Sequence, residues 1–578
     1  MNDLREKILD GCKNNSFLKV IYDIQMGDQV VQDNLAKELI SLNNEKIIDV
    51  VSEFNNLVNK PSNKYDFYMT RRVFEKVLPD IESSVLAVMG VVRHLTIEAG
   101  NDMTAGVLYA PFIKFCECEK TRPVEALKHA EKDPDTYGDF IGAAIISGTS
   151  FNLESYIQEA IRLVSDENIE IRKRAVFVLG NAQYDGCVAV LDGVVSLLEK
   201  AVEAERDDHF LGNVVVTCFK LIKQNKSMSD RLEAVITEAI DRGNDLVLHS
   251  VSDVFRYGLS YYSEDLIEKI IGCLLSVNSK NRGTLDNIDY FIADLFKLDG
   301  SDKGVEFLTL VLLNNKDITI DDFKSTKHTA LSKHGVILNK IATKWLVSGD
   351  KNLCRGVHEF LKDVHGENIK LAVDSNELSG NELELMFIAR KAIGFLFTKP
   401  VTCASLIISV MNCSNDDELI FEVGELLFDP LLINYPNKVR DYLNKEKEVL
   451  NGVVLDAVNA STDALENYLD SIKSIPEMPE LWPSQDHREI SFRRFSRLMA
   501  DSYKTAMKDS IFNMMTTKSV ILYGTSSINH IQRGNGDSDR MEIPMQSHGT
   551  TIDMPRLENI DQFGLDYRLR TFRVEQMK

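Results

Sequence analysis

The sequence predicts an all-α protein: an α-solenoid of paired helices over residues 1–473, followed by a small C-terminal extension with short β-strands. Three observations carry this prediction. Of the 13 prolines none lies between Pro134 and Pro400, and proline is the residue a helix interior tolerates least. Across that interval apolar residues recur at three- and four-residue spacing. Short Asn/Asp/Gly/Ser clusters interrupt them at Asp207-Asp208, Asn225 to Asp230, Arg242 to Asp245, Asn278 to Thr284, Leu298 to Asp302, Asn314 to Asp317, Ser348 to Asn352 and Asp374 to Asn381. Gaps of roughly 15 to 25 residues between clusters suit helices of three to five turns joined by short turns. The third observation is a weak internal repeat that starts at Asp166, Asp208 and Asp245, at intervals of 42 and 37 residues. Three positions after each Asp stands Ile169, Leu211 or Leu248, and ten positions after it Val176, Cys218 or Phe255. Helix pairs at about 40 residues per unit are the signature of a helical solenoid.

The elements follow in chain order. Residues 1–135 form an N-terminal helical region that caps the array, with helices over Asp66 to Leu78, Ile81 to Ala99 and Thr104 to Cys118, and breaks at Pro61, Pro79 and Pro123. Lys120 to Asp139, which includes Glu131-Lys132-Asp133-Pro134-Asp135, reads as a polar break. Residues 136–473 are the array proper, with second helices over Val188 to Val202, Arg231 to Ile240 and Leu266 to Val277. In this block Asp166, Ile171-Arg172, Ala175 and Val178-Leu179-Gly180 resemble the inner helix of a HEAT repeat, in the HEAT/armadillo class of α-solenoids. The Asp stands at the helix start, the Arg one turn in, and the Ala and Leu face the preceding helix. The units at Asp208 and Asp245 keep the spacing and the Asp, but carry Val214 and Val251 where the first has Arg172, and the outer-helix proline common in HEAT units is missing. The resemblance covers residues 150 to 280 and implies a curved scaffold that binds other macromolecules.

Residues 474–486 change character. Pro476, Pro479 and Pro483 fall within eight residues and predict an extended strap, with Trp482 available to pin it against a surface. Residues 487–578 form a C-terminal region that starts with a basic amphipathic helix over His487 to Met515. Phe492, Phe495, Leu498 and Met499 lie on one side of it, and Arg488, Arg493, Arg494 and Arg497 mostly on the other. Val520 to Tyr523 and Met541 to Met545 suit short strands, and Arg533 to Asp537 a hairpin loop. The last segment, Ile552 to Met577, mixes apolar residues and arginines as a docked segment would.

Charge bounds the function. With 66 Lys+Arg against 88 Asp+Glu the 578-residue chain carries −22, which argues against a dedicated duplex nucleic-acid binder. Residues 484–578 hold 14 Lys+Arg and 12 Asp+Glu, so the acidity belongs to the solenoid. The nine cysteines are odd in number, scattered and set among apolar residues, as reduced buried thiols are. Met1 to Glu6 runs directly into a polar amphipathic helix, and the apolar run Val85 to Val92 is far shorter than the roughly 18 residues of a membrane span. A cytoplasmic location and no membrane partner are expected.

Sites of chemistry are thinly signalled. No phosphate-binding glycine loop occurs, since Gly534-Asn535-Gly536 lacks the following helix glycine, and no cofactor is called for. His358-Glu359 has its next histidine at His365, too far for a zinc-protease helix. Cys354 and His358 share a helix face but lack signalled third and fourth ligands, so helix packing explains them better and no metal is assigned. Cys116-Glu117-Cys118 has the wrong spacing for a zinc or redox pair. Tyr523 to Ser527 is a fragment of a nucleophile elbow without its final glycine, and turn chemistry explains it. His530 and His548, with Asp537, Asp539 or Asp553, would make an acid–base pair only if they met across a hairpin. No catalytic residue is assigned.

The expectation is therefore a non-catalytic scaffold or adaptor that binds partner proteins in a cytoplasmic complex, as a homo-oligomer or with other chains. Arg488, Arg493, Arg494, Arg497 and Trp482 are the candidate partner-binding residues. The arginines would face the acidic solenoid of the same chain, a separate acidic partner or, least favoured by the charge balance, nucleic acid. One alternative is an enzyme with its site in residues 519–578 and the solenoid as recognition arm. Another is nucleic-acid binding by a concave helical-repeat face.

Overall fold

Helix starts in this chain are written by short polar side chains. Asp66 Oδ1 accepts from the Met69 amide at 2.8 Å and opens the helix Phe67–Val77. Ser84 caps Val85–Ala99, Asn152 caps Leu153–Val164, and Asp207 caps Asp208–Gln224. Each such cap satisfies an amide that would otherwise lack a partner, and contributes about 1 kcal/mol. The computed structural model describes residues 2–27, 29–102, 104–184, 186–255, 261–297, 302–332, 336–364, 369–476, 482–508, 516–522, 526–532, 538–544 and 555–577. They form an all-α solenoid of paired helices with a small C-terminal extension. The chain divides into two compact units, residues 1–250 with 483–548, and residues 251–482 with 549–578.

In the first unit, side chains of one helix pair bond to a neighbouring pair, before or after it in the chain, at a nearly constant separation. Asn43 Nδ2 donates to the Glu82 carbonyl 39 residues away, and Asn59 Nδ2 to the Glu98 carbonyl, also 39 away. Asn213 Nδ2 donates to the Lys173 carbonyl at a separation of 40, and Thr217 Oγ1 to the Val176 carbonyl at 41. The repeat seen in sequence at Asp166, Asp208 and Asp245 is thus one stretch of a longer register. Within it, Ile169–Leu179 packs Ile171, Ala175 and Leu179 into the core. Gly180 follows directly, and a Cβ there would lie 2.8 Å from the Thr217 Cα of the next pair. The Asp residues differ in role. Asp166 accepts from the Asn168 amide, and Asn168 is the cap, whereas Asp208 reaches forward to the amides of Asn244 and Leu246.

Lys120 to Asp139 is not a polar break. It contains the helices Arg122–Lys132 and Pro134–Tyr137, and the first buries Ala126, Leu127 and Ala130 against Phe140–Thr149. Three small or apolar positions at helical spacing outweigh the charged majority, and Pro123 sits in the first turn, where proline is tolerated.

Residues 477–481 of the segment expected as a strap lie outside the described residues, and Gln485–Lys508 is a 24-residue helix. Three antiparallel strands follow in the order β1 (Thr516–Leu522), β2 (Ser526–Gln532) and β3 (Ser538–Pro544). β1 and β3 contain Val520 to Leu522 and Met541 to Pro544 of the two expected strands, whereas β2 is unexpected, since its Ser, Asn, His and Gln give it little strand propensity. Arg533 to Asp537, expected as a hairpin loop, lies outside the described residues; Gln532 and Ser538 on either side of it are register partners.

The second unit keeps the same register. Trp345 Nε1 donates to Thr309 Oγ1 36 residues earlier at 2.8 Å, and Asn315 Nδ2 donates to the Leu275 carbonyl 40 residues earlier. Two carboxylates cap neighbouring pairs: Asp289 accepts from the amides of Ser325 and Thr326, and Glu359 from that of Ile320. The chain's last helix, Gln562–Val574, docks on Glu382–Leu396 of this unit, as its mixed apolar and arginine composition suggested.

Candidate partner-binding site

The helix Gln485–Lys508 starts where Ser484 Oγ accepts from the His487 amide at 3.2 Å. Phe492, Phe495 and Met499 recur at three- and four-residue spacing and form one stripe, with Leu498 at its edge. Every side chain described on this helix is exposed, Phe492 at 69% and Leu498 at 58%. Arg493 pairs with Glu489 at 2.7 Å, one turn back. Among the described residues no ion pair joins Arg488, Arg494 or Arg497 to another side chain. Trp482 is 60% exposed. The four arginines therefore share one solvent-facing helix, with cationic and apolar groups both on offer.

Among the described residues, Cys354 and His358 serve different partners. Cys354 and His358 lie on the helix Lys351–Leu361, but Cys354 Sγ donates to the Trp345 carbonyl in the core while His358 Nε2 meets Thr398 Oγ1 at 3.3 Å. Burial, aided by Lys399, holds the His358 imidazole below its ordinary pKa. His365, His548, Asp537 and Asp553 lie outside the described residues, as does Tyr523 to Thr525. His530 sits on β2, with Lys518 and Arg540 as its register partners. Cys116 is buried and its thiol is pushed up to about 12, chiefly by burial, while Cys118 two residues on is exposed. The expected outcome of native labelling with a thiol-exchange reagent is rapid reaction at Cys118, and reaction at Cys116, Cys218, Cys354 and Cys403 only on unfolding. Mass mapping of the labelled peptides checks this; early label on Cys218 or Cys403 would contradict the packing.

Two surface grooves carry residues that sequence reasoning missed. In the first unit a groove of about 470 Å³ runs over the helices Tyr109–Glu117, Phe140–Thr149, Ile169–Leu179 and Asp208–Gln224. Its floor includes Ile113, Ile146 and the 42%-exposed Phe177, and its rim holds the Arg174–Asp139 pair at 2.8 Å. In the second unit a groove of about 1160 Å³ lies between the C-terminal helix and the helices Asp417–Leu426 and Gly452–Ser474. Beside it Lys391 is fully buried, and its Nζ donates to the carbonyls of Arg573 at 2.8 Å and Glu575 at 2.7 Å. The one signal for Lys391 in the sequence is a lysine within the apolar run Phe387 to Leu396.

No family model matches the chain, and no curated protein matches it. Solved structures are similar at low identity. A homology model of the full-length AP-3 complex in an intermediate open conformation aligns at 12% identity over 77% of this chain and 82% of that one, with a TM-score of 0.33. Yeast importin-beta (Kap95p) aligns at 11% over 80% and 75%, also at 0.33. An engineered protein aligns at 12% over 81% and 99%, at 0.26. At these TM-scores the likenesses carry no argument, and the solenoid assignment stands on the chain's own helix pairs and bond register. Among the described residues no helix is long and apolar enough to cross a membrane.

Proposed function

We propose that the chain is a non-catalytic scaffold that holds partner proteins within a cytoplasmic assembly, and that the segment from Trp482 to Arg497 is a contact surface for an acidic partner. The observation that carries this reading is the exposure of the helix Gln485–Lys508 on both its apolar and its arginine sides. An isolated helix of this composition gains little from propensity alone, and an uncovered aromatic stripe beside guanidiniums is the composition protein interfaces favour. Arginine forks match carboxylate geometry, which directs the choice toward an acidic surface.

Cross-linking capture from native cells followed by mass spectrometry tests the proposal. Exchange of Arg488, Arg493, Arg494 and Arg497 for glutamate is expected to reduce recovery of the captured protein at least tenfold without moving the thermal midpoint, since none of the four packs in the core. Raising ionic strength should weaken capture in the unaltered chain, because exposed charges are screened within about 10 Å at 0.1 M salt. Recovery of a partner-free monomer at every concentration, or identical capture by the charge-reversed chain, would refute the assignment.

A further inference from the structure

We propose that the face of the helix Glu382–Leu396 around Lys391 is a receptor for the C-terminal end of an amphipathic helix. The chain's own last helix occupies it as an internal ligand, and a partner helix of the same chemistry displaces that ligand. The inference concerns a different surface from the arginine helix and holds independently of it.

A fully buried ammonium requires acceptors, and both acceptors of Lys391 are main-chain carbonyls of the tail, those of Arg573 and Glu575. Arg573 stands in the last turn of Gln562–Val574, whose carbonyls have no intrahelical donor and lie at the negative end of the helix dipole, and Glu575 is the C-cap residue just beyond it, so a buried lysine reads this helix exit by main-chain chemistry rather than by side chains. Burial lowers the pKa of Lys391, and the nearby Cys354 and Glu575 side chains offset this only in part. Arg390 adds a carboxylate contact, Nη1 to Glu575 Oε1 at 2.9 Å. Arg573 Nε donates to the Gly394 carbonyl at 2.5 Å, and a Cβ on Gly394 would stand 3.2 Å from the Arg573 amide nitrogen, so glycine at this position admits the tail backbone.

Along the rest of the tail helix the apolar attachment is slight, and the polar attachment is an Arg568–Asp429 ion pair with two amide bonds, from Arg556 and Leu557, to Asn434. Of its 13 residues only Leu565 and Leu569, four apart, are buried, while Phe563 is 89% and Tyr567 76% exposed. Ordering a helix for two leucines leaves little surplus. On the open flank the groove of about 1160 Å³ is lined by Met386, Phe421, Phe428, Ala460, Ala464 and Val574, and the tail leaves it unfilled. The occupant that outcompetes the tail is therefore an amphipathic helix with leucines in the places of Leu565 and Leu569, an acidic residue near its C-terminus for Arg390, and apolar bulk on the groove side.

A fluorescent peptide of residues 555–577 titrated into the full-length chain tests this by anisotropy. A chain with Leu565→Asp and Leu569→Asp, which loosen its own tail, is expected to bind the peptide at least tenfold more tightly than the unaltered chain. Adding Lys391→Met to that chain should weaken binding at least tenfold. Equal affinity for the unaltered and loosened chains, or undiminished binding after Lys391→Met, overturns the proposal. Hydrogen exchange on the unaltered chain gives a readout that needs no substitution. Amides of 562–574 should exchange at least 100-fold faster than those of 382–396, and equal protection also overturns it.

Discussion

Replacing Trp345 with alanine is expected to destabilise the second unit by about 3–5 kcal/mol, the range for truncating a buried large aromatic. Trp345 is fully buried and its Nε1 donates to Thr309 Oγ1 at 2.8 Å. Its ring centroid lies 6.0 Å from that of Phe360, and its carbonyl accepts from Cys354 Sγ at 3.2 Å. The substitution thus leaves a cavity and strips the Thr309 hydroxyl of a partner in one step. Urea unfolding followed by circular dichroism should show the loss as a lowered midpoint. Fluorescence gives a second check, because the chain's other tryptophan, Trp482, is 60% exposed. Acrylamide should quench only part of the emission of the unaltered chain and nearly all of it after Trp345→Phe. Complete quenching in the unaltered chain would contradict the buried site.

Asp289→Ala is the second large effect, at about 2–3 kcal/mol. The Asp289 carboxylate is 5% exposed, and its two oxygens accept from the Ser325 amide at 2.8 Å and the Thr326 amide at 2.7 Å. These amides open the helix Lys324–Ser332, so one helix pair supplies the N-cap of the next. Removal takes away a charged cap and leaves buried donors unpaired, which together exceed the cost of losing an ordinary exposed cap. Asp289→Asn retains one acceptor oxygen and should recover about half of the loss. Hydrogen exchange of residues 324–332 is the local measurement; unchanged protection there after Asp289→Ala would show that the cap contributes nothing.

Much of this fold can be read from local pattern. The proline-free interval, the polar clusters and the three spaced aspartates lead to helix pairs because caps and apolar faces act within a turn or two. Asp66, Asp207 and Ser263 begin helices as such residues do. The failures share a cause. Arg122–Lys132 is helical because Ala126, Leu127 and Ala130 find the helix Phe140–Thr149, and β2 is a strand because β1 and β3 flank it. The aspartates illustrate the same limit, for their spacing is visible while Asp208's reach to Asn244 and Leu246 is not. Lys391 lay furthest from view, since its partners stand 182 and 184 residues away and are main-chain atoms that any residue could supply. The arginine helix was legible as an amphipathic element, but its exposure depends on what the rest of the chain leaves uncovered.

The side-chain-to-backbone bonds at separations of 39, 40 and 41 residues also constrain how the chain can change length. A single-residue insertion in a helix such as Asp208–Gln224 rotates all that follows by about 100°, carrying donors such as Asn213 or Thr217 away from the carbonyls they serve. Gain or loss of one whole period, cut at equivalent turns, gives each junction a neighbour of the same kind. Growth of such a chain is thus quantised, and variants of different length should differ by multiples of about 40 residues, with odd lengths confined to the turns.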